Sequence, residues 1–105
     1  MKILPIIEEP VSVNKLNDKI YEIDGKMYHL TRRSGAMFDL LCERSPGRVF
    51  PADLMDALNE KGFHVSTAES ARVDIPRLRR SIQGSPLIVI NEHGVGYRLA
   101  IRRNK

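Results

Sequence analysis

The last 40 residues of this 105-residue chain hold eight Lys or Arg against three acids, and seven of the eight are arginine. Arg72, Arg77, Arg79 and Arg80 lie close together, and Arg98 follows Gly94-Val95-Gly96. A guanidinium donates in a planar fork that matches the oxygens of a phosphate or the edge of a base, which a lysine ammonium does not. The rest of the chain is balanced: residues 1–30 carry four basic side chains against five acidic, and residues 31–65 carry five against five. The basic excess is therefore regional, and the chemistry it suggests is anion recognition. Other reactive groups form no constellation. His29, His64 and His93 have no His, Cys or carboxylate at metal-ligand spacing, so no metal site is expected. Cys42 is the single cysteine, which excludes a disulfide framework and a multi-cysteine metal site, and it falls on an apolar stripe where a small buried hydrophobe fits. Gly94-Val95-Gly96 lacks the third glycine and the following helix of a dinucleotide site. No catalytic residue, cofactor or enzymatic activity is expected.

Two elements must position these arginines. Ser66 to Gln83 reads as a helix, opened by Ser66-Thr67-Ala68-Glu69 as a capping box. Ala71, Ile75, Leu78 and Ile82 recur at spacings of 4, 3 and 4, one buried helical face. The opposite face then presents Arg72, Val73, Pro76, Arg77 and Arg80. Pro76 sits about ten residues into that helix, where a proline costs roughly 3 kcal/mol, so the chain should kink there or begin regular helix only near it. Asp74 is placed to pair with Arg77 at i, i+3. Gly84-Ser85-Pro86 ends the helix. Leu87 to Ile90 then pairs through Asn91–Gly94 with Val95 to Ile101, a hairpin in which Tyr97, Leu99 and Ile101 alternate inward and His93 and Arg98 flank the tip. Tyr97 should face the core with its hydroxyl at the rim.

The remainder supplies a scaffold. Val11, Val13 and Leu16, then Ile20–Ile23 and Met27–Leu30 around Asp24-Gly25, read as antiparallel strands, and Ile3–Ile7 adds an edge strand limited by Pro5. Thr31 marks a helix start, with Met37, Phe38, Leu40, Leu41 and Cys42 as its apolar stripe up to Ser45-Pro46-Gly47. A second helix runs from Pro51 or Ala52 to Lys61, with Leu54, Met55 and Leu58 inward and Gly62 beyond its end. The expected fold class is α+β, a winged helix-turn-helix: an antiparallel sheet over 1–30, three helices within 31–83 and a hairpin wing over 87–101. Such a length makes a single domain over 1–105. No run approaches the roughly 18 apolar residues of a membrane span, Met1–Ile7 is too short for a signal peptide, and a cytoplasmic location is the default.

From Leu30 to Leu99 the chain resembles the winged-helix effector domain of OmpR/PhoB-type response regulators. The resemblance rests on Leu30-Thr31 opening a helix, Pro46-Gly47-Arg48-Val49-Phe50 between helices, Val73 to Arg79 as V-x-I-x-R-L-R, and Gly94-Val95-Gly96-Tyr97-Arg98. It implies sequence-specific binding of double-stranded DNA and regulation of transcription, with tandem copies on direct repeats. The third helix would lie in the major groove and the wing in the adjacent minor groove. It places Val73 and Arg77 at base-meeting positions, Pro76 at a recognition-helix position that is usually polar or basic, Arg79 and Arg80 at phosphate-contacting or supporting positions, Arg72 on the same flank, and His93 and Arg98 on the wing. The loop Gly62-Phe63-His64-Val65 matches the segment through which relatives touch RNA polymerase. Asn59 stands where the family often has tryptophan. No receiver domain, and hence no phosphorylation switch, is expected before a sheet that starts almost at Met1. Pro76 and Asp74 support an alternative, a winged helix that acts as a protein-interaction module on RNA polymerase or another regulator.

Overall fold

The structure, a computed structural model, describes residues 2–4, 11–92 and 96–102. Four short strands form the first sheet, β1 (Lys2–Leu4), β2 (Val11–Lys15), β3 (Ile20–Ile23) and β4 (Lys26–His29), in that spatial order and antiparallel throughout. Strand β1 is an edge strand, paired on one side only with β2; Pro5, Ile6 and Ile7 of the expected strand lie outside the described residues. The β3–β4 turn is Asp24-Gly25 with φ of 53° and 85°, the positive values that a two-residue hairpin turn needs. Side chains alternate across the sheet. Val11, Val13, Tyr21 and Ile23 are buried, whereas Leu16 lies beyond the strand and is exposed.

Helix α1 (Arg32–Arg44) covers the buried face of this sheet. Its N-cap is Thr31, whose hydroxyl accepts from the Ser34 amide at 3.1 Å. Met37, Phe38, Leu41 and Cys42 are buried, and Phe38 meets the ring of Tyr21 edge-on at 5.3 Å. Tyr21 also explains a glycine in the first turns of the helix. Its hydroxyl donates to Asp39 Oδ1 at 2.8 Å and lies 3.0 Å from where a Cβ on Gly35 would stand. Burial first, then the bond to Asp39, pushes the Tyr21 phenol well above its ordinary pKa, so it remains a donor.

Helix α2 (Pro51–Glu60) starts with Pro51 in its first turn, and the Asp53 carboxylate accepts from the Phe50 amide at 3.0 Å. Leu54 and Leu58 are fully buried and Met55 is half-buried. The third helix expected from the sequence is divided into α3 (Ala68–Arg72) and α4 (Ile75–Ser81), so among the described residues the three-helix layout is kept with its third member interrupted. Strands β5 (Leu87–Glu92) and β6 (Gly96–Ile101) form the antiparallel C-terminal hairpin, paired from Leu87↔Ile101 to Glu92↔Gly96. Val49, between α1 and α2, bridges to β6: its amide donates to the Tyr97 carbonyl at 2.7 Å and accepts at its own carbonyl from the Tyr97 amide at 2.8 Å. The hairpin is thereby sewn to the helices, and Leu87, Val89, Tyr97 and Leu99 join one continuous core with α1, α2 and α4. The molecule is an α+β winged-helix fold. No helix among the described residues is long and apolar enough to cross a membrane.

Candidate nucleic-acid interface

The break between α3 and α4 follows from Pro76. The cap falls on Thr67, one residue beyond the expected Ser66: the Thr67 hydroxyl accepts from the Ser70 amide at 3.0 Å. Val73 and Asp74 stay in the right-handed region (φ −61°, ψ −26° and φ −86°, ψ −8°), yet their amides reach back only three residues, to Ser70 at 3.3 Å and Ala71 at 3.5 Å. The ladder then restarts, and Pro76 becomes the second residue of α4. A missing amide donor costs nothing there, because the first amides of a helix have no partner within it. Ala71, Ile75, Leu78 and Ile82 keep one buried line across the break. Outward stand Arg72, Val73, Pro76, Arg77 and Arg80, with Val73 75% exposed.

The structure sorts the arginines of this face into two groups. Arg77 and Arg80, three residues apart on α4, are exposed, and neither guanidinium has a hydrogen bond or ion pair among the described residues. Arg72 is held twice, donating from Nε to the Tyr97 hydroxyl at 3.0 Å and from an Nη to Glu69 at 3.0 Å. The Tyr97 bond first, then Glu69, raises its pKa further above the ordinary guanidinium value. Arg79 is exposed but donates from Nε to the Val89 carbonyl at 3.2 Å, bracing α4 against β5. Asp74 does not pair with Arg77. Its carboxylate takes Arg33 Nε from the start of α1, with only 13% of the Asp74 side chain exposed. This contact neutralises the one acid at the break and leaves Arg77 uncommitted.

On the wing, Arg98 donates from Nε to Glu92 at 3.2 Å, and the same carboxylate oxygen accepts from Arg48 at 2.6 Å. Arg48 first, with Arg98 adding to it, holds the Glu92 pKa below the usual carboxylate value. Arg98 and Arg48 thus form one cationic pair around a single acid. His93 lies outside the described residues.

The Gly62–Val65 loop is turned only partly outward. Val65 is buried, and both its backbone groups are clasped by the Asn59 side chain, Nδ2 to the carbonyl at 3.1 Å and Oδ1 from the amide at 2.8 Å. Phe63 is half-buried, with the guanidinium groups of Arg33 and Arg32 at 5.6 and 6.0 Å from its ring. Gly62 and His64 alone are exposed.

Arg33 and Arg48 are the contributors that sequence reasoning passed over. Arg33 had a signal: α1 begins with two arginines and no acid, although the helix dipole disfavours cations in a first turn. A basic residue at such a position gains from a nearby carboxylate, and Asp74 provides one for Arg33. Arg48 had no comparable signal, because its partner Glu92 lies 44 residues away across the Val49–Tyr97 bridge. Among the described residues, no three His, Cys, Asp or Glu side chains gather where a metal ion could sit. Neither a comparison with protein-family models nor one with curated proteins gives a match for this chain.

Proposed function

We propose that the protein binds double-stranded DNA and regulates transcription in the cytoplasm, with the α3–α4 face in the major groove and the wing against the adjacent minor groove. The observation that carries this reading is the unpaired Arg77 and Arg80 on the solvent face of α4, beside Val73 and Pro76. Two uncommitted guanidinium groups at helical spacing suit a phosphate and a base edge, and the exposed valine suits a thymine methyl. The likeness of the sequence to OmpR/PhoB-type effector domains points the same way and adds a second copy in tandem on repeated half-sites. Arg72 and Arg79 act as braces that set the angle of the face, while Arg98 and Arg48 supply wing cations. A contact to RNA polymerase through the 62–65 loop would rest on His64. Fluorescence anisotropy with duplexes selected from random DNA, titrated against salt, tests the reading. The logarithm of affinity should fall with the logarithm of salt by about 0.9 per phosphate neutralised, and one selected sequence should exceed random duplex by roughly a thousandfold. Absence of binding at low salt overturns it. The apolar Val73–Pro76 patch favours a second reading, a protein-interaction module. Salt-insensitive absence of DNA binding, with a partner protein captured through Val73, would select that reading.

A further inference from the structure

A groove of about 440 Å³ lies between the end of α4, the 82–86 turn and β5, and meets the outward α3–α4 face at Arg80. Its lining combines the apolar Ile82, Leu87, Ile88 and Val89 with three arginines, Arg79, Arg80 and Arg102, and includes no acidic residue. Two of the arginines suit the negative carboxyl end of α4, as any helix end does. Arg102 has no such explanation. It arrives from the far end of the β6 side of the hairpin, fixed by its amide donating to the Pro86 carbonyl at 2.6 Å, and no side-chain partner holds its guanidinium among the described residues.

We propose that this groove binds a small amphipathic anion, an acid group on an apolar body, and that the bound anion weakens DNA binding by engaging Arg80. The volume is that of a small-molecule site rather than of a protein interface. An extended peptide fits less well, because the outer edge of β5 is already occupied. The Ser85 hydroxyl accepts from the Leu87 amide at 3.1 Å and donates to its carbonyl at 3.3 Å, and Arg79 takes the Val89 carbonyl. Pinned through Nε, Arg79 keeps its terminal amino groups for a ligand. Arg80 belongs to both surfaces, so an anion in the groove draws on a cation that DNA would use. The regulatory half of the proposal rests on the DNA reading; the binding site does not.

The test titrates the full chain with 1-naphthyl phosphate and with 1-naphthoate, which separate phosphate from carboxylate, and with inorganic phosphate and 1-naphthol as controls. At least one naphthyl acid should bind about tenfold or more tighter than both controls, with amide shifts in NMR spectra confined to residues 79–89 and 102. Arg102→Gln should weaken that binding roughly fivefold or more while the melting temperature and DNA affinity stay near wild type. DNA affinity of wild type should fall as the naphthyl acid is added, and that of Arg102→Gln should fall less. The site is overturned by inorganic phosphate binding as tightly as the naphthyl acids, by shifts scattered over the whole basic surface, or by unchanged binding to Arg102→Gln. The regulatory half is overturned if a saturated groove leaves DNA affinity unchanged. If the naphthyl acid binds the groove and DNA does not bind at all, the DNA reading fails and the site stands. If DNA binds and no naphthyl acid does, the site fails and the DNA reading stands.

Discussion

Gly96 is where the wing, the core and the α3–α4 face depend on one missing Cβ. Its φ is +124°, and a Cβ there would lie 2.7 Å from the Val49 carbonyl oxygen and 3.2 Å from its carbon. Both contacts are backbone, so no side chain can swing aside. Gly96→Ala would face two costs. Forcing a non-glycine residue into that backbone region costs about 1–3 kcal/mol. Pushing Val49 away weakens the two hydrogen bonds of the Val49–Tyr97 bridge, at 2.7 and 2.8 Å, each contributing about 0.5–1.5 kcal/mol. The total is about 2–6 kcal/mol, a large part of the roughly 5–15 kcal/mol that holds a domain folded.

Gly84→Ala provides the control, because Gly84 has φ of +93° but nothing within 4 Å of its Cβ position. It carries the backbone cost alone. In urea denaturation followed by circular dichroism, Gly96→Ala should be less stable than Gly84→Ala by about 1–3 kcal/mol, and hydrogen exchange at the Val49 and Tyr97 amides should accelerate. Because Tyr97 holds Arg72, the same variant should loosen the brace on α3 and weaken DNA binding without touching DNA. Equal stabilities of the two variants, with unchanged exchange at Tyr97, would refute the dependence of the bridge on this close approach.

The unpaired arginine of α4 gives the sharpest functional test: Arg77→Ala should weaken selected-site binding by about 1–3 kcal/mol and relax preference at one base pair, measured by anisotropy and repeated site selection. Arg33→Ala strands the nearly buried Asp74 carboxylate beside the α3–α4 face, so it should lower stability by about 1–3 kcal/mol and also reduce DNA affinity, and both effects should shrink in the Arg33→Ala/Asp74→Ala double variant. Pro76→Ala should lower stability slightly, by about 0.4–1 kcal/mol in urea, because α4 begins in the backbone shape that proline already has; a gain of stability would instead mean that the proline strains the helix. The depressed Glu92 pKa makes the wing pair acid-sensitive. The stability it contributes is present above the ordinary carboxylate value of 4.5 and is lost as pH falls below that value through the folded one. The melting-temperature gap between wild type and Glu92→Gln should therefore close on acidification and stay constant from about pH 6 upward.

The fold was legible because its local signals agree with one another. Asp24-Gly25 forms the expected turn, Thr31 caps the expected helix, and the line Ala71, Ile75, Leu78, Ile82 is buried as its periodicity requires. That line also explains why one expected helix is two. Periodicity of buried side chains survives a break in the backbone ladder, so it cannot distinguish one long helix from two short ones joined by a turn in the same helical sense. Pro76 was the residue that could, and of the outcomes it allowed, a restarted helix is the one that places it where no amide is needed. The arginine face was legible as a face but not as individual roles. Helical spacing fixes which side a guanidinium leaves from, whereas its commitments depend on Tyr97, Val89 and Glu92, brought near by the hairpin register and the Val49 bridge. Asp74 makes the point most directly. Read locally, it competes for Arg77; in the folded chain Arg33, 41 residues away, takes it. A charge that looked like an obstacle to an anion thereby becomes the tie that holds α3–α4 against α1 and leaves Arg77 unpaired beside Val73, the arrangement on which the proposed reading of a DNA groove rests.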